Sequence, residues 1–324
     1  MTGAAAATDD RPGIDPDYLS YLAAIAPRAP AKGPPDVAGM RVGAAASRLA
    51  WQAGGAVMDA VVEETLPTAR GPVRIRVYHP RPERPSPAFV YLHGGGWVLF
   101  DLDTHDRAMR EWAAATGHAV VGVDYPRAPE TRFPGTVHAC AAVVEALRRA
   151  APRLGLAAPW TLAGDSAGAN LALAATLAAR DAGAPMADAL VLAYGVYDGT
   201  TERPSHAAFS APPLTLTRDR MAWFWDQYCP DPDARADPLA SPLRADLRGL
   251  PPARLITSGR DVLRDENLAM AVRLAEAGNA VSLDHHPAAP HGFLEAVALT
   301  PKVGATIAAA AAWLRAATGE PAPA

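Results

Sequence analysis

Cysteine is scarce. Two in 324 residues, Cys140 and Cys229, are too few for a disulfide framework, and they lack the short spacing of a metal knuckle. Neither sign of charge dominates: 30 Lys and Arg against 34 Asp and Glu give a net charge of -4 and a pI near 6.1. That balance excludes a strongly basic nucleic-acid binder and offers no polybasic membrane anchor. No stretch reaches the roughly 18 uninterrupted apolar residues of a membrane-spanning helix. Met1–Pro12 shows neither a basic start nor an apolar run, so no secretory signal is readable. The expectation is a cytoplasmic globular protein, long enough to bury a sizeable core.

Proline and glycine are plentiful, and the chain up to about Gly43 is rich in both and in alanine. That region contains one amphipathic stretch, Asp17 to Ile25, and a second short helix is expected over Val42–Ala53. It reads as a helical arm or lid rather than a domain with its own core. The pattern changes near Ala60. Val73–Val77 alternates apolar and polar residues, the signature of a half-exposed, edge-like strand. Continuous apolar runs follow at Ala88–Leu92, Ala119–Val123, Trp160–Ala163, Ala189–Tyr194, Ala253–Thr257 and Ala280–Leu283, as buried parallel strands require. Helical segments lie between most of them: His105–Ala115, Val137–Ala150, Ala167–Ala182 and Asp265–Ala277, the last with Asp265 expected as N-cap and Gly278 just past its end. The alternation predicts an α/β fold with a mostly parallel sheet and helices on both faces, whose chemistry collects on loops beyond the carboxyl ends of the strands. Asp198–Leu250 interrupts the alternation and is too long for an ordinary connection, so it reads as a lid element. Its cluster Trp223, Phe224, Trp225 and Tyr228 is expected to pack a lid core, and both cysteines are expected as buried small hydrophobes.

Four loops carry chemistry. Gly164-Asp165-Ser166-Ala167-Gly168 fits the G-x-S-x-G nucleophile elbow and stands in the strand–turn–helix setting that this motif needs. His93-Gly94-Gly95-Gly96-Trp97 follows an apolar run, and its glycines leave backbone N–H groups unshielded, as an oxyanion hole requires. No Lys-Ser/Thr follows, which excludes a phosphate-binding P-loop. A serine hydroxyl needs a base. The order serine, acid, histidine leaves His206, His285, His286 and His291, of which His291 lies in the loop beyond the last predicted strand. Asp261 is the first carboxylate after Ala253–Thr257, ahead of Asp265, assigned to a cap, and Asp284, in or just past the final strand. An acid there fixes the tautomer of His291 and stabilises its imidazolium.

Together these blocks, with Asn170, Asp261-Val262-Leu263-Arg264-Asp265 and Asp124-Tyr125-Pro126-Arg127-Ala128-Pro129-Glu130, resemble the hormone-sensitive-lipase-like α/β-hydrolases, including the bacterial family IV carboxylesterases. The likeness runs from about Asp15 onward. It implies an α/β-hydrolase fold with Ser166 as nucleophile, His291 as base, Asp261 as its orienting acid, and an oxyanion hole at the N–H groups of Gly95, Gly96 and Ala167. It implies a cap built from residues 1–55 and an insertion at about 198–250, on a catalytic domain spanning 56–324. It further implies hydrolysis of short- to medium-chain acyl esters with no metal or cofactor, and in some members a homodimer through the sheet edge. The sequence departs from the family at Ala169, where glycine is common, at Pro126-Arg127, and at His285–Pro290 ahead of His291. Two rival readings remain: an amide or acetyl hydrolase acting through the same three residues, and a ligand-binding receptor on this fold.

Overall fold

The computed structural model describes residues 13–26 and 36–321, so parts of the expected N-terminal cap segment, 1–12 and 27–35, lie outside the described residues, as do 322–324. Among the described residues, helices α1 (Leu19–Ile25) and α2 (Val37–Gln52) precede strand β1 (Ala60–Thr68). Strands β2 (Gly71–His79) and β3 (Ser86–Leu92) follow, then α3 (Asp106–Thr116), β4 (Ala119–Asp124), α4 (Gly135–Leu154), β5 (Leu156–Asp165), α5 (Ala167–Asp181) and β6 (Ala189–Ala193). Helices α6 (Pro204–Ala208) and α7 (Arg218–Tyr228) occupy the insertion, and β7 (Ala253–Arg260), α8 (Arg264–Glu276), β8 (Val281–Pro290) and α9 (Pro301–Thr318) complete the chain. One eight-stranded sheet runs in the order β1-β2-β4-β3-β5-β6-β7-β8. Strands β3 to β8 are parallel, and β1 and β2 are antiparallel to their neighbours. No helix of the described residues is long and apolar enough to cross a membrane.

The expected strands are present. Strands β5, β7 and β8 run longer than expected, β8 to Pro290 because its pairing with β7 continues past Leu283 through Asp284, His285 and His286. Three further expectations are corrected. Strand β2 is interior, not an edge: β1 covers it. Its alternation arises because Val73, Ile75 and Val77 face the core while Arg76 is buried on the other side against Glu63, Asp103 and Asp106. Helix α2 starts at Val37, five residues before the expected position, because the Asp36 carboxylate accepts the N–H groups of Ala38 and Gly39, both at 3.1 Å. Asp265 does not cap α8. Asp261 closes an earlier turn by accepting the Leu263 N–H at 2.9 Å, so Leu263 is the N-cap and Asp265 sits in the first helical turn, accepting the Ser205 N–H at 2.8 Å.

The strand order reverses at β3, with β4 on one side and β5 on the other. Loops at the carboxyl ends of β3 and β5 therefore diverge and leave a crevice between them, where ligands bind in open α/β sheets. The glycine-rich loop leaves β3 there, and the serine turn leaves β5.

Candidate active site

Ser166 follows β5 and caps α5 with φ +54° and ψ -119°, outside the regions that non-glycine residues favour. The turn survives because it is fixed on all sides: the Ser166 N–H donates to the Ala193 carbonyl at 2.8 Å, and the Ser166 carbonyl accepts the Asn170 N–H at 3.2 Å. Glycine is needed on both flanks for space. A methyl group on Gly168 would lie 2.6 Å from the Leu92 carbonyl carbon, and one on Gly164 2.6 Å from the Leu92 carbonyl oxygen.

His291 leaves β8 and approaches from the neighbouring loop. Its Nε2 lies 3.0 Å from Ser166 Oγ, and its Nδ1 lies 2.7 Å from Asp261 Oδ2. Asp261 is 2 % exposed and Ser166 7 %, so the three groups meet largely out of water. Burial disfavours the imidazolium, but the Asp261 carboxylate outweighs it and holds His291 above its ordinary value, with Asp165 and Glu295 adding to the effect. Tyr194 packs edge-on against the imidazole with ring centroids 5.0 Å apart. The structure therefore brings together Ser166, Asp261 and His291. The other candidate histidines are engaged elsewhere. His285 Nδ1 is 2.8 Å from Thr257 Oγ1, His286 Nε2 is 3.2 Å from Asp284, and His206 is buried on α6.

The glycine loop is shaped by dihedral angle. Gly95 and Gly96 have φ of +110° and +60°, and the Gly95 carbonyl accepts the N–H groups of Val98 and Leu99 at 3.1 and 2.8 Å. Among the described residues the N–H groups of Gly95, Gly96 and Ala167 donate no hydrogen bond, although Gly96 and Ala167 are buried. A buried unmade donor costs about 1–3 kcal/mol, so two of them on two facing loops, beside the half-buried N–H of Gly95, mark a place suited to an acceptor. Phe224 lies against Gly96, so close that its ring would overlap a methyl group placed there. Trp97 is stacked on Tyr228 at 4.2 Å and donates from Nε1 to Asn170 Oδ1 at 3.3 Å. Phe224, Trp225 and Tyr228 are thus packed onto the loop, while Trp223 is only partly buried.

Several supporting residues carry no signal that sequence pattern alone could read. Asp165, fully enclosed beside Ser166, accepts the Tyr91 hydroxyl at 2.7 Å and the Gly94 N–H at 2.9 Å, and lies 3.6 Å from His105 Nε2. Burial opposes its charge, yet His105 and Tyr91 hold the carboxyl below its ordinary value, and His105 is held above its own. The Tyr125 hydroxyl donates to the His93 carbonyl at 2.7 Å, so the block carrying Pro126-Arg127 still supports the glycine loop, and Arg127 reaches the Phe100 carbonyl. Arg48 of α2 forms a buried ion pair with Glu295, four residues past His291, and lies over the Phe100 ring at 3.7 Å. Tyr21 of α1 lies against Gly292, whose φ is +75°. A separate apolar cavity of about 290 Å³ lies between α4 and α5 and is lined largely by alanines; Ser166 is not among its walls.

A model of the alpha/beta hydrolase fold matches residues 89–295, nearly two thirds of the chain. The chain belongs to the hormone-sensitive-lipase-like esterases of the α/β-hydrolase fold, a family of carboxylic ester hydrolases. It is 39 % identical over 243 residues to the carboxylic ester hydrolase LipN of Mycobacterium tuberculosis, a match spanning 72 % of this chain and 64 % of LipN. An acetyl esterase of Salmonella paratyphi B is 34 % identical over 233 residues, 71 % of this chain and 72 % of the relative. Among solved structures, a hyperthermophilic esterase from the archaeon Pyrobaculum calidifontis superposes with a TM-score of 0.87 at 34 % identity, covering 94 % of this chain and 98 % of the other. That esterase thus shares this chain's fold over nearly its whole length.

Proposed function

We propose that this protein is a serine carboxylesterase for short- to medium-chain acyl esters, with Ser166 as nucleophile, His291 as base and Asp261 as its orienting acid. The observation that carries the reading is the unbroken chain Ser166 Oγ, His291, Asp261 at 3.0 and 2.7 Å, beside three undonated backbone N–H groups. Ser166 Oγ attacks the ester carbonyl carbon as its proton passes to His291 Nε2. The N–H groups of Gly95, Gly96 and Ala167 receive the negative charge that develops on the carbonyl oxygen. The alcohol leaves with the proton from Nε2. Water then attacks the acyl-serine, its proton passing to the same nitrogen and from there to Ser166 Oγ as the acyl–oxygen bond breaks, and the carboxylic acid is released. Asp261 holds the Nδ1 proton in place and stabilises the imidazolium in both halves.

Residues 1–55 and the insertion at 198–250 serve as the cap. Supporting this are the contacts of α1 and α2 with the His291 loop and of α7 with the glycine loop. The name of the Salmonella relative, acetyl esterase, supports a small acyl group. The direct test is hydrolysis of p-nitrophenyl butyrate, expected to be faster than that of the palmitate. The Ser166→Ala variant, with an unchanged circular-dichroism spectrum, should lose activity at least roughly a thousand-fold. A folded Ser166→Ala protein that keeps its activity refutes the assignment.

A further inference from the structure

Arg220 is a cation without a counter-charge, placed where local effects oppose it. It lies in the first turn of α7, where the helix dipole disfavours positive charge by about 0.3–1 kcal/mol. It is partly buried, and its neighbour Arg48 repels it; burial and then Arg48 hold its guanidinium below the ordinary arginine value. Arg41 has Glu130, Arg48 has Glu295 and Arg235 has Asp226, but the Arg220 guanidinium has no carboxylate or hydrogen-bond acceptor among the described residues. Its one defined contact is the face of Phe224, 5.6 Å from the ring centroid, on the same side of α7 one turn along. Phe224 is the ring that packs on Gly96. A guanidinium that is kept against burial, repulsion and dipole, one ring away from a loop prepared for an acceptor, fits an anion that arrives with the substrate.

We propose that Arg220 is the subsite for a carboxylate carried on the acyl chain, so that monoesters of dicarboxylic acids are the preferred substrates. The inference rests on the esterase reading above. A carboxylate fits better than a phosphate for two reasons. The planar guanidinium fork matches a planar carboxylate in two parallel hydrogen bonds. Of the two arginines that face each other here, Arg48 is already neutralised by Glu295, so only Arg220 of that pair is left to meet a negative charge.

The test compares the p-nitrophenyl monoester of adipic acid with p-nitrophenyl hexanoate, acyl chains of equal length that differ by a terminal carboxylate in place of a methyl group. The readout is the ratio of their kcat/KM values, adipate over hexanoate, with spontaneous hydrolysis subtracted. In the wild type the ratio should exceed one. In Arg220→Gln it should fall about ten-fold or more, and Arg220→Lys should keep most of it. In the wild type, raising NaCl from about 20 mM to about 500 mM should lower the ratio several-fold, an arm that holds even if a variant fails to fold. A wild-type ratio below one, a salt-independent ratio, or an unchanged ratio in Arg220→Gln overturns the subsite. Failure to hydrolyse either ester instead refutes the esterase reading itself.

Discussion

The two loops that face each other across Ser166 both depend on glycine, for different reasons. In the serine turn, Gly164 and Gly168 have ordinary dihedrals, and a side chain is forbidden because the Leu92 backbone passes too close. In the glycine loop, Gly95 and Gly96 adopt positive φ, and their N–H groups donate no hydrogen bond among the described residues. The first is a packing constraint between main chains that have nowhere to move. The second is first a dihedral constraint: a methyl group at Gly95 would also meet the Leu99 main chain, but at Gly96 the nearest obstacle is a side-chain ring, that of Phe224. The serine turn should therefore fail by losing the fold, and the glycine loop by losing the chemistry.

Gly168→Ala is the harshest way to break this contrast. Its methyl group would overlap the Leu92 carbonyl, and parting β3 from α5 disturbs the centre of the core, so we expect at least about 3 kcal/mol of destabilisation. Thermal and denaturant unfolding would measure it. Gly96→Ala comes next. At φ +60° the strain is about 1–2 kcal/mol, while a re-aimed N–H should lower kcat by about 100-fold with a smaller effect on KM. If Gly96→Ala proved the less stable of the two, or Gly168→Ala kept full stability, the distinction between the loops would be wrong.

How far the sequence reveals these loops follows from the range of the forces. Ser166, His291 and Asp261 lie on short loops whose residue types and strand context are local, and pattern reading singled out these three as candidates, which the fold brings within hydrogen-bond distance of one another. The mostly apolar strands β3 to β7 were legible for the same reason, since burial on both faces leaves few polar positions to disguise them. Strand β1 was not legible: Val61 and Val62 are adjacent and exposed, and the segment is held by pairing to β2 rather than by an apolar face. The strand that looked like an edge is interior because β1 pairs along it, and its polar Arg76 is buried against carboxylates from other segments. Asp165 stands inside the serine motif, yet its partner Tyr91 is 74 residues away, and Arg48 is 247 residues from Glu295. No periodicity encodes such pairs, and only the fold brings them together.

Asp165 belongs to both loops, and its replacement should separate their electrostatics from their geometry. Asp165→Asn keeps acceptors for the Tyr91 hydroxyl and the Gly94 N–H but removes the charge facing His105 and His291. In the native protein His291 is held above its ordinary 6.5, so kcat/KM should fall as pH drops through a value above 6.5, where the protonated imidazole no longer takes the serine proton. The Asn variant should move that acid limb to lower pH. Stability follows the opposite members of the pair. Asp165 is depressed, so its contribution is present above the ordinary carboxylate range and is lost as pH falls through its folded value. His105 is raised, so its contribution is full below 6.5 and is lost as pH rises through its folded value. An acid limb that stays in place in Asp165→Asn would confine Asp165 to holding Gly94.

The gentlest probe is Tyr125→Phe. The Tyr125 ring stacks on His93 with centroids 4.4 Å apart, and that contact survives the change. Only the 2.7 Å hydrogen bond to the His93 carbonyl is lost, leaving a buried acceptor unmet at a cost of about 1 kcal/mol. Because the glycine loop is held by several such bonds, including Gly94 to Asp165 and the two donated to the Gly95 carbonyl, losing one should lower kcat only about two- to five-fold. A loop secured by distributed hydrogen bonds should weaken in steps, whereas the serine turn, secured by main-chain contact, has no intermediate state to occupy. Steady-state kinetics beside a melting curve would tell the two apart: a Tyr125→Phe protein as damaged as Gly168→Ala would place both loops under the same rigid constraint.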